Sequence, residues 1–235
     1  MMRLTAWMIV FLAGLALTPA ARADDAQGVI FLELFASQSL ATSPPADRLL
    51  GDLAAWPGII ALDCHVTSFD QLGWKDTMSL PACTDMQNLY KAARGGLVPF
   101  VPEMIVNGRK SVTGSDKSEV EAAMARARKL PVIGLSRDKD QNMIHVDLPP
   151  VPGAPDSDIV LAPYEKTRAQ TIGAGENKGQ TLNYTHTVTL LATVDKWRGI
   201  AQTRIYPLFD IRLPLAVFAY DPQTGAIVAA GAIEK

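Results

Sequence analysis

Thiol and imidazole groups are the first place to look for chemistry, and this chain has only Cys64, Cys83, His65, His145 and His186. Cys64 and His65 are adjacent. An imidazole beside a thiol lowers its pKa and raises the reactive thiolate fraction, so a redox pair of Cys64 and Cys83 is one reading. The other is a structural bridge, because two thiols within reach of each other pair in an oxidising compartment. Such a bridge would contribute ~3 kcal/mol. The spacing does not resemble a fast dithiol site, which makes the bridge the preferred reading. The histidines are scattered and no cluster has metal-ligand spacing, so no metal is expected. Asp63, Asp70 and Asp76 read as solvated or capping acids. Ser43 would be a nucleophile only with a base beside it, for which His65 is the candidate. A serine ahead of Pro44-Pro45 reads more simply as a helix cap. No phosphate-binding glycine loop is present, and no cofactor is expected.

These residues need elements to hold them. Gly28 to Phe35 is an almost unbroken apolar run, as in a strand covered on both faces. Thr42 or Ser43 and Pro44-Pro45 open a helix carrying Leu49, Leu50, Leu53 and Trp56, stopped by Pro57-Gly58. Ile59 to Val66 is a second strand, residues 67–82 a long loop, and Asp85 to Arg94 a helix ended by Gly95-Gly96. Asn107-Gly108 between Met104–Val106 and Lys110–Thr113 is a hairpin signal. A helix from Ser115 or Asp116 to Lys129 follows. The order strand, helix, strand, helix, hairpin, helix is the thioredoxin arrangement. Beyond residue 130 the character changes to short β-rich runs: Val132–Leu135, Met143–Leu148, Ile159–Ala162, Thr181–Val194, Leu215–Tyr220 and Ala226–Ala232. Asp221 to Gly225 makes the last turn. The expected fold is therefore α/β, with a thioredoxin-like domain at residues 24–130 and a β-rich, sandwich-like domain at residues 131–235.

The N-terminus reads as a secretory signal. Arg3, an apolar run from Ala6 to Leu17 and the site Ala21-Arg22-Ala23 predict cleavage after residue 23. The apolar core is shorter than the ~20 residues of a membrane span, so no membrane anchor is expected after cleavage. A periplasmic or secreted location follows. An apolar fraction of 48% and a charged fraction of 20% describe a chain able to bury a core. The net charge is −2 with no long basic run, which gives no reason to expect nucleic-acid or anionic-membrane binding.

Glu33-Leu34-Phe35-Ala36-Ser37-Gln38, followed by Pro44-Pro45-Ala46-Asp47, resembles a family of exported bacterial thioredoxin-like proteins catalogued as domain of unknown function 1223. His65-Val66, Leu72-Gly73-Trp74-Lys75-Asp76, Pro102 to Gly108, Gly175-Glu176-Asn177, Gly179 and Thr181-Leu182 carry the resemblance across most of the chain. The resemblance implies a C-x-x-C pair at a helix N-terminus, where the helix dipole stabilises a thiolate. Here those positions hold Leu40 and Ser43, neither of which exchanges with disulfides, so the usual site is redox-inactive. It also implies a cis proline at Pro102 beside this loop, with the Val101 backbone free to bond an extended peptide. Trp74 reads as a plug holding its loop down. Val101, Pro102, Leu40, Ser43, His65 and Trp74 form the expected binding set, for a protein or peptide partner. The alternatives are a thiol-disulfide oxidoreductase using Cys64 and Cys83, and a structural or assembly protein.

Overall fold

A computed structural model describes residues 28–234 apart from Leu97, Lys139, Phe209 and Ile211. The expected signal segment, residues 1–23, lies outside the described residues. Every residue of β1 (Ile30–Ala36) is buried, which is why its sequence is apolar at nearly every position. Through α1 (Ser43–Ala54) it connects to β2 (Ile59–His65), parallel to it from Ile30 opposite Ile59 to Ala36 opposite His65. A loop with one 3-10 turn, Thr67–Phe69, leads to α2 (Pro81–Ala93). This helix starts at Pro81 rather than Asp85, because a proline suits the first turn. β3 (Glu103–Val106) runs antiparallel to β1 and pairs with β4 (Lys110–Thr113). Asn107 and Gly108 between them have φ of 50° and 68°, as the two-residue turn requires.

Helix α3 (Lys117–Arg126) is capped by Asp116, whose side chain accepts from the Glu119 N–H at 3.0 Å. It ends three residues before the expected Lys129. Ala127 is already extended, and Leu130 is drawn into a bridge with Val29.

The second half holds β5 (Gly134–Asp138), β6 (Met143–Leu148), β7 (Ser157–Thr171), β8 (Thr181–Val188), β9 (Ala192–Trp197), β10 (Gln202–Pro207), β11 (Leu215–Tyr220) and β12 (Ile227–Ile233). The result is a mixed α/β structure with one large mixed sheet, ordered β12-β11-β7-β8-β2-β1-β3-β4, with β9 also on β7. β5, β6 and β10 form a smaller sheet that packs through Ile144 and Val146 on Ile159, Leu161, Val217 and Ala229. The Ile159–Ala162 segment is part of a much longer strand. Beyond Tyr164, β7 becomes a polar arm of the β7–β8 hairpin and shows no apolar alternation. β10 was not anticipated because its alternation is half-exposed and weakly apolar. Thr181–Val194 is β-structure, as expected, but split into β8 and β9.

The central strands separate two cores. Leu32, Leu34, Leu49, Leu53, Met104 and Val120 fill the α1 and α3 side, while Phe31, Phe35, Leu62, Cys64, Met86 and Phe218 fill the α2 side. The two halves meet at the β3–β4 turn. A Cβ on Gly108 would lie 2.0 Å from the Gly225 carbonyl oxygen, so only glycine fits there. No described helix is long and apolar enough to cross a membrane.

Candidate functional site

Alternation along β2 sends Asp63 and His65 toward α1, and Leu62 and Cys64 toward α2. On the α1 side, His65 is clamped between two carboxylates. Its Nδ1 is 2.6 Å from Asp76 Oδ2 and its Nε2 is 3.1 Å from Asp63 Oδ2. Asp47 reaches in from α1, where one of its oxygens, one of Asp63 and a His65 ring nitrogen all lie within 4.8 Å of one another. Tyr184 of β8 meets the imidazole edge-on, with ring centroids 5.0 Å apart.

All of these groups are buried, which makes their charge states interdependent. Burial alone would depress the His65 pKa, but the charges and hydrogen bonds of Asp63 and Asp76 outweigh it and hold the imidazole well above its usual range. Burial pushes Asp47 well above the carboxylate range, and the charge of Asp63 pushes it further. Burial acts on Asp76 in the same direction, yet the His65 charge and hydrogen bond and the N–H groups of Gln38 and Met78 bring it below the usual range. The expectation that Asp63 and Asp76 are solvated fails, because both belong to this closed cluster. Asp70 does serve as a turn acceptor, from the Asp76 N–H and the Ser79 hydroxyl.

The loop between β1 and α1 sits above the cluster and is held at almost every residue. The Gln38 N–H donates to Asp76 Oδ2 at 2.7 Å, and the Ser39 hydroxyl donates to the Trp74 carbonyl at 2.6 Å. Trp74 Nε1 donates to Gln38 Oε1, and its ring packs with Met78, Ile172, Leu182 and Tyr184. From the β7–β8 hairpin, Glu176 accepts the Ala41 N–H at 2.7 Å. Asn177 Nδ2 donates to the Gln38 and Leu40 carbonyls at 2.9 and 3.0 Å. Thus the N-terminal end of α1, where a thiolate would gain from the helix dipole, faces a carboxylate of the same chain.

Ser43 is buried and its Oγ accepts the Ser37 N–H at 3.2 Å. Contrary to expectation it does not cap α1, whose N-cap position is Thr42 without a side-chain cap bond, and it does not pair with His65, whose two nitrogens face Asp63 and Asp76. Leu40 and Val101 are half-buried, and Pro102 is buried. The Val101-Pro102 bond is cis, and β3 enters beside the C-terminal end of β1, from which the loop departs. Ahead of Val101, Val98 is 82% and Phe100 42% exposed. They line a groove of about 800 Å³ with Arg94, Glu103, Lys110 and Ala123.

On the α2 side, Cys64 and Cys83 form a disulfide with Cα atoms 5.5 Å apart. Both are fully buried, out of reach of an attacking thiolate. Nearby, Tyr90 donates a short hydrogen bond to Glu33, whose pKa burial raises to about 7 against that bond. Glu103 gathers Gln87, Arg94 and Ser111.

Asp47, Tyr184, Glu176 and Asn177 join this assembly without any shared local pattern in the sequence. A signal existed for the first. Asp47 falls three residues before Leu50 on the apolar stripe of α1, where an acid must be buried.

The sequence profile of a family described as a protein of unknown function (DUF1223) matches residues 31–228. A crystal structure of a protein from Agrobacterium tumefaciens is similar, with a TM-score of 0.74 and 25% identity over 88% of this chain and 95% of that one. No curated protein matches.

Proposed function

The chain belongs to the DUF1223 family, and within it we propose an exported, thioredoxin-like binding protein that is redox-inactive at its loop and holds an extended apolar segment of a partner protein. The first-half strand order β2-β1-β3-β4, with β3 antiparallel and helices on both sides, supports the thioredoxin-like reading. The loop residues Leu40 and Ser43 leave it no thiol. The observation that carries the binding role is the apolar run of Val98, Phe100 and Val101, exposed or half-exposed, with Val98 and Phe100 lining a groove. A contiguous exposed apolar patch beside a groove is the kind of surface that marks a contact site. Thiol-disulfide exchange would require an attacker to reach the buried Cys64–Cys83 bridge. A structural role is favoured by one observation, the bonds of Glu176 and Asn177 that use the loop as an anchor for the second half.

A permanently unfolded, S-alkylated protein presents extended apolar segments and is a direct probe. The full chain should bind it, and Val98→Ser with Phe100→Ser should weaken binding at least ~10-fold with Tm unchanged. Equal binding by the double variant and the wild type would replace this reading with the structural one.

A further inference from the structure

The closed cluster beneath the loop holds more acidic groups than one imidazole can pair. Asp47, Asp63 and Asp76 converge on a single imidazole. Buried charges in proteins are paired or coordinate metal ions.

A second observation is independent of charge. Four buried oxygens around this point have no hydrogen-bond partner in the protein: Asp47 Oδ1, Asp63 Oδ1, the Tyr184 hydroxyl and Thr187 Oγ1. Native proteins leave few such atoms, and these come from three elements. Thr187 is paired directly opposite Asp63 across the β2–β8 joint. Tyr184 is 1% exposed, and its phenol lies within the field of Asp47, Asp76 and Asp63.

The geometry suits an ion. Donors around a cation at ~2.0–2.2 Å stand roughly 3–4 Å apart. Asp63 Oδ2 and His65 Nε2 are already 3.1 Å apart, and the Asp47 oxygen lies within 4.8 Å of both residues' donors, so small side-chain movements close the set. The remaining ring nitrogen of His65 is held by Asp76 at 2.6 Å, the arrangement in which a carboxylate fixes the tautomer and orientation of a metal-binding imidazole. Asp76 in turn receives the Gln38 and Met78 N–H groups, which hold it in place.

We propose that Asp47, Asp63 and His65 bind a first-row divalent cation of the Zn²⁺ type, with the Tyr184 oxygen beside it and Asp76 as the positioning residue. One imidazole with two carboxylates favours such an ion over Ca²⁺, which takes six to eight oxygens, and over Mg²⁺, which keeps several waters that a closed core cannot house. Because the donors are buried, the ion enters as the chain folds. It ties α1, β2 and the loop before α2 together beneath residues 37–42.

The test refolds the full chain, disulfide oxidised, from guanidinium chloride with EDTA into chelator-free buffer containing Zn²⁺, Ca²⁺ or Mg²⁺ alone. Metal retained after desalting and Tm are then measured. About one Zn²⁺ per chain with a raised Tm is expected, and no retained Ca²⁺ or Mg²⁺. Asp47→Asn, close in shape and neutral, should fold and lose at least ~10-fold in Zn²⁺ affinity in competition with a chelating dye. Asp76→Asn should lose roughly 10- to 100-fold. In the Co²⁺-loaded protein, His65→Gln should shift the visible absorption band of the wild type. No retained Zn²⁺ and an unchanged Tm would overturn the proposal in favour of protons or water satisfying the cluster. Equal retention by wild type, Asp47→Asn and His65→Gln would place the ion elsewhere and overturn it equally.

Discussion

On the α1 side of β2, Asp63 and His65 are buried among Asp47, Asp76 and Tyr184. One residue along, on the α2 side, Cys64 is bonded to Cys83 among Phe35, Leu62 and Met86. The two faces are equally dry, yet they are stabilised by opposite means. Apart from the buried Glu33–Tyr90 pair, the α2 face relies on apolar packing and a covalent link, neither of which depends on pH. The α1 face is stable only while its charges balance, so removing one member exposes the others to an uncompensated low-dielectric environment.

That contrast predicts the order of mutational effects. In the presence of EDTA, His65→Gln should cost ~3–5 kcal/mol at pH 6, because it leaves buried carboxylates without their cation. Chemical denaturation at several pH values checks this. The native pKa of His65 is raised, so its contribution is fully present below the unfolded value of ~6.5 and is lost as pH rises through the native value. The gap between wild type and variant should therefore narrow toward high pH, and a gap that widened would contradict the charge assignment.

Cys64→Ala with Cys83→Ala should cost somewhat less. The bridge spans a separation of 19 residues, for which lost loop-closure entropy predicts ~3 kcal/mol. The deficit, read from denaturation midpoints, should be nearly the same at pH 6 and pH 9, unlike that of His65→Gln. A strongly pH-dependent deficit would mean that the two faces are coupled and would erase the comparison.

How much of this was legible follows from the same strand. The apolar run Ile59 to Val66 announces a buried β2, and its alternation separates Cys64 from Asp63 and His65. What the run does not show is who meets them. Asp47 and Asp76 arrive from a helix and a long loop, and Tyr184 from a strand more than a hundred residues away, joined to β2 by one parallel register pair. The hairpin at Asn107-Gly108 was legible because its turn needs particular residue types. The covering of loop 37–42 by Glu176 and Asn177 was not, since a carboxylate and an amide bonding backbone groups leave no local pattern. β7 was cut short for a related reason, its outer arm being polar on both faces.

The proposed reading places no thiol chemistry at the loop before α1 and makes the Cys64–Cys83 disulfide structural. Insulin disulfide reduction by the full chain, compared with that of Leu40→Cys combined with Ser43→Cys, tests it most directly. The wild type should show no turnover, and the double variant should gain measurable activity from a thiol pair at the N-terminus of α1. Turnover by the wild type comparable to that of a thioredoxin, abolished by Cys64→Ala with Cys83→Ala, would make the buried bridge the working redox pair and overturn the redox-inactive reading.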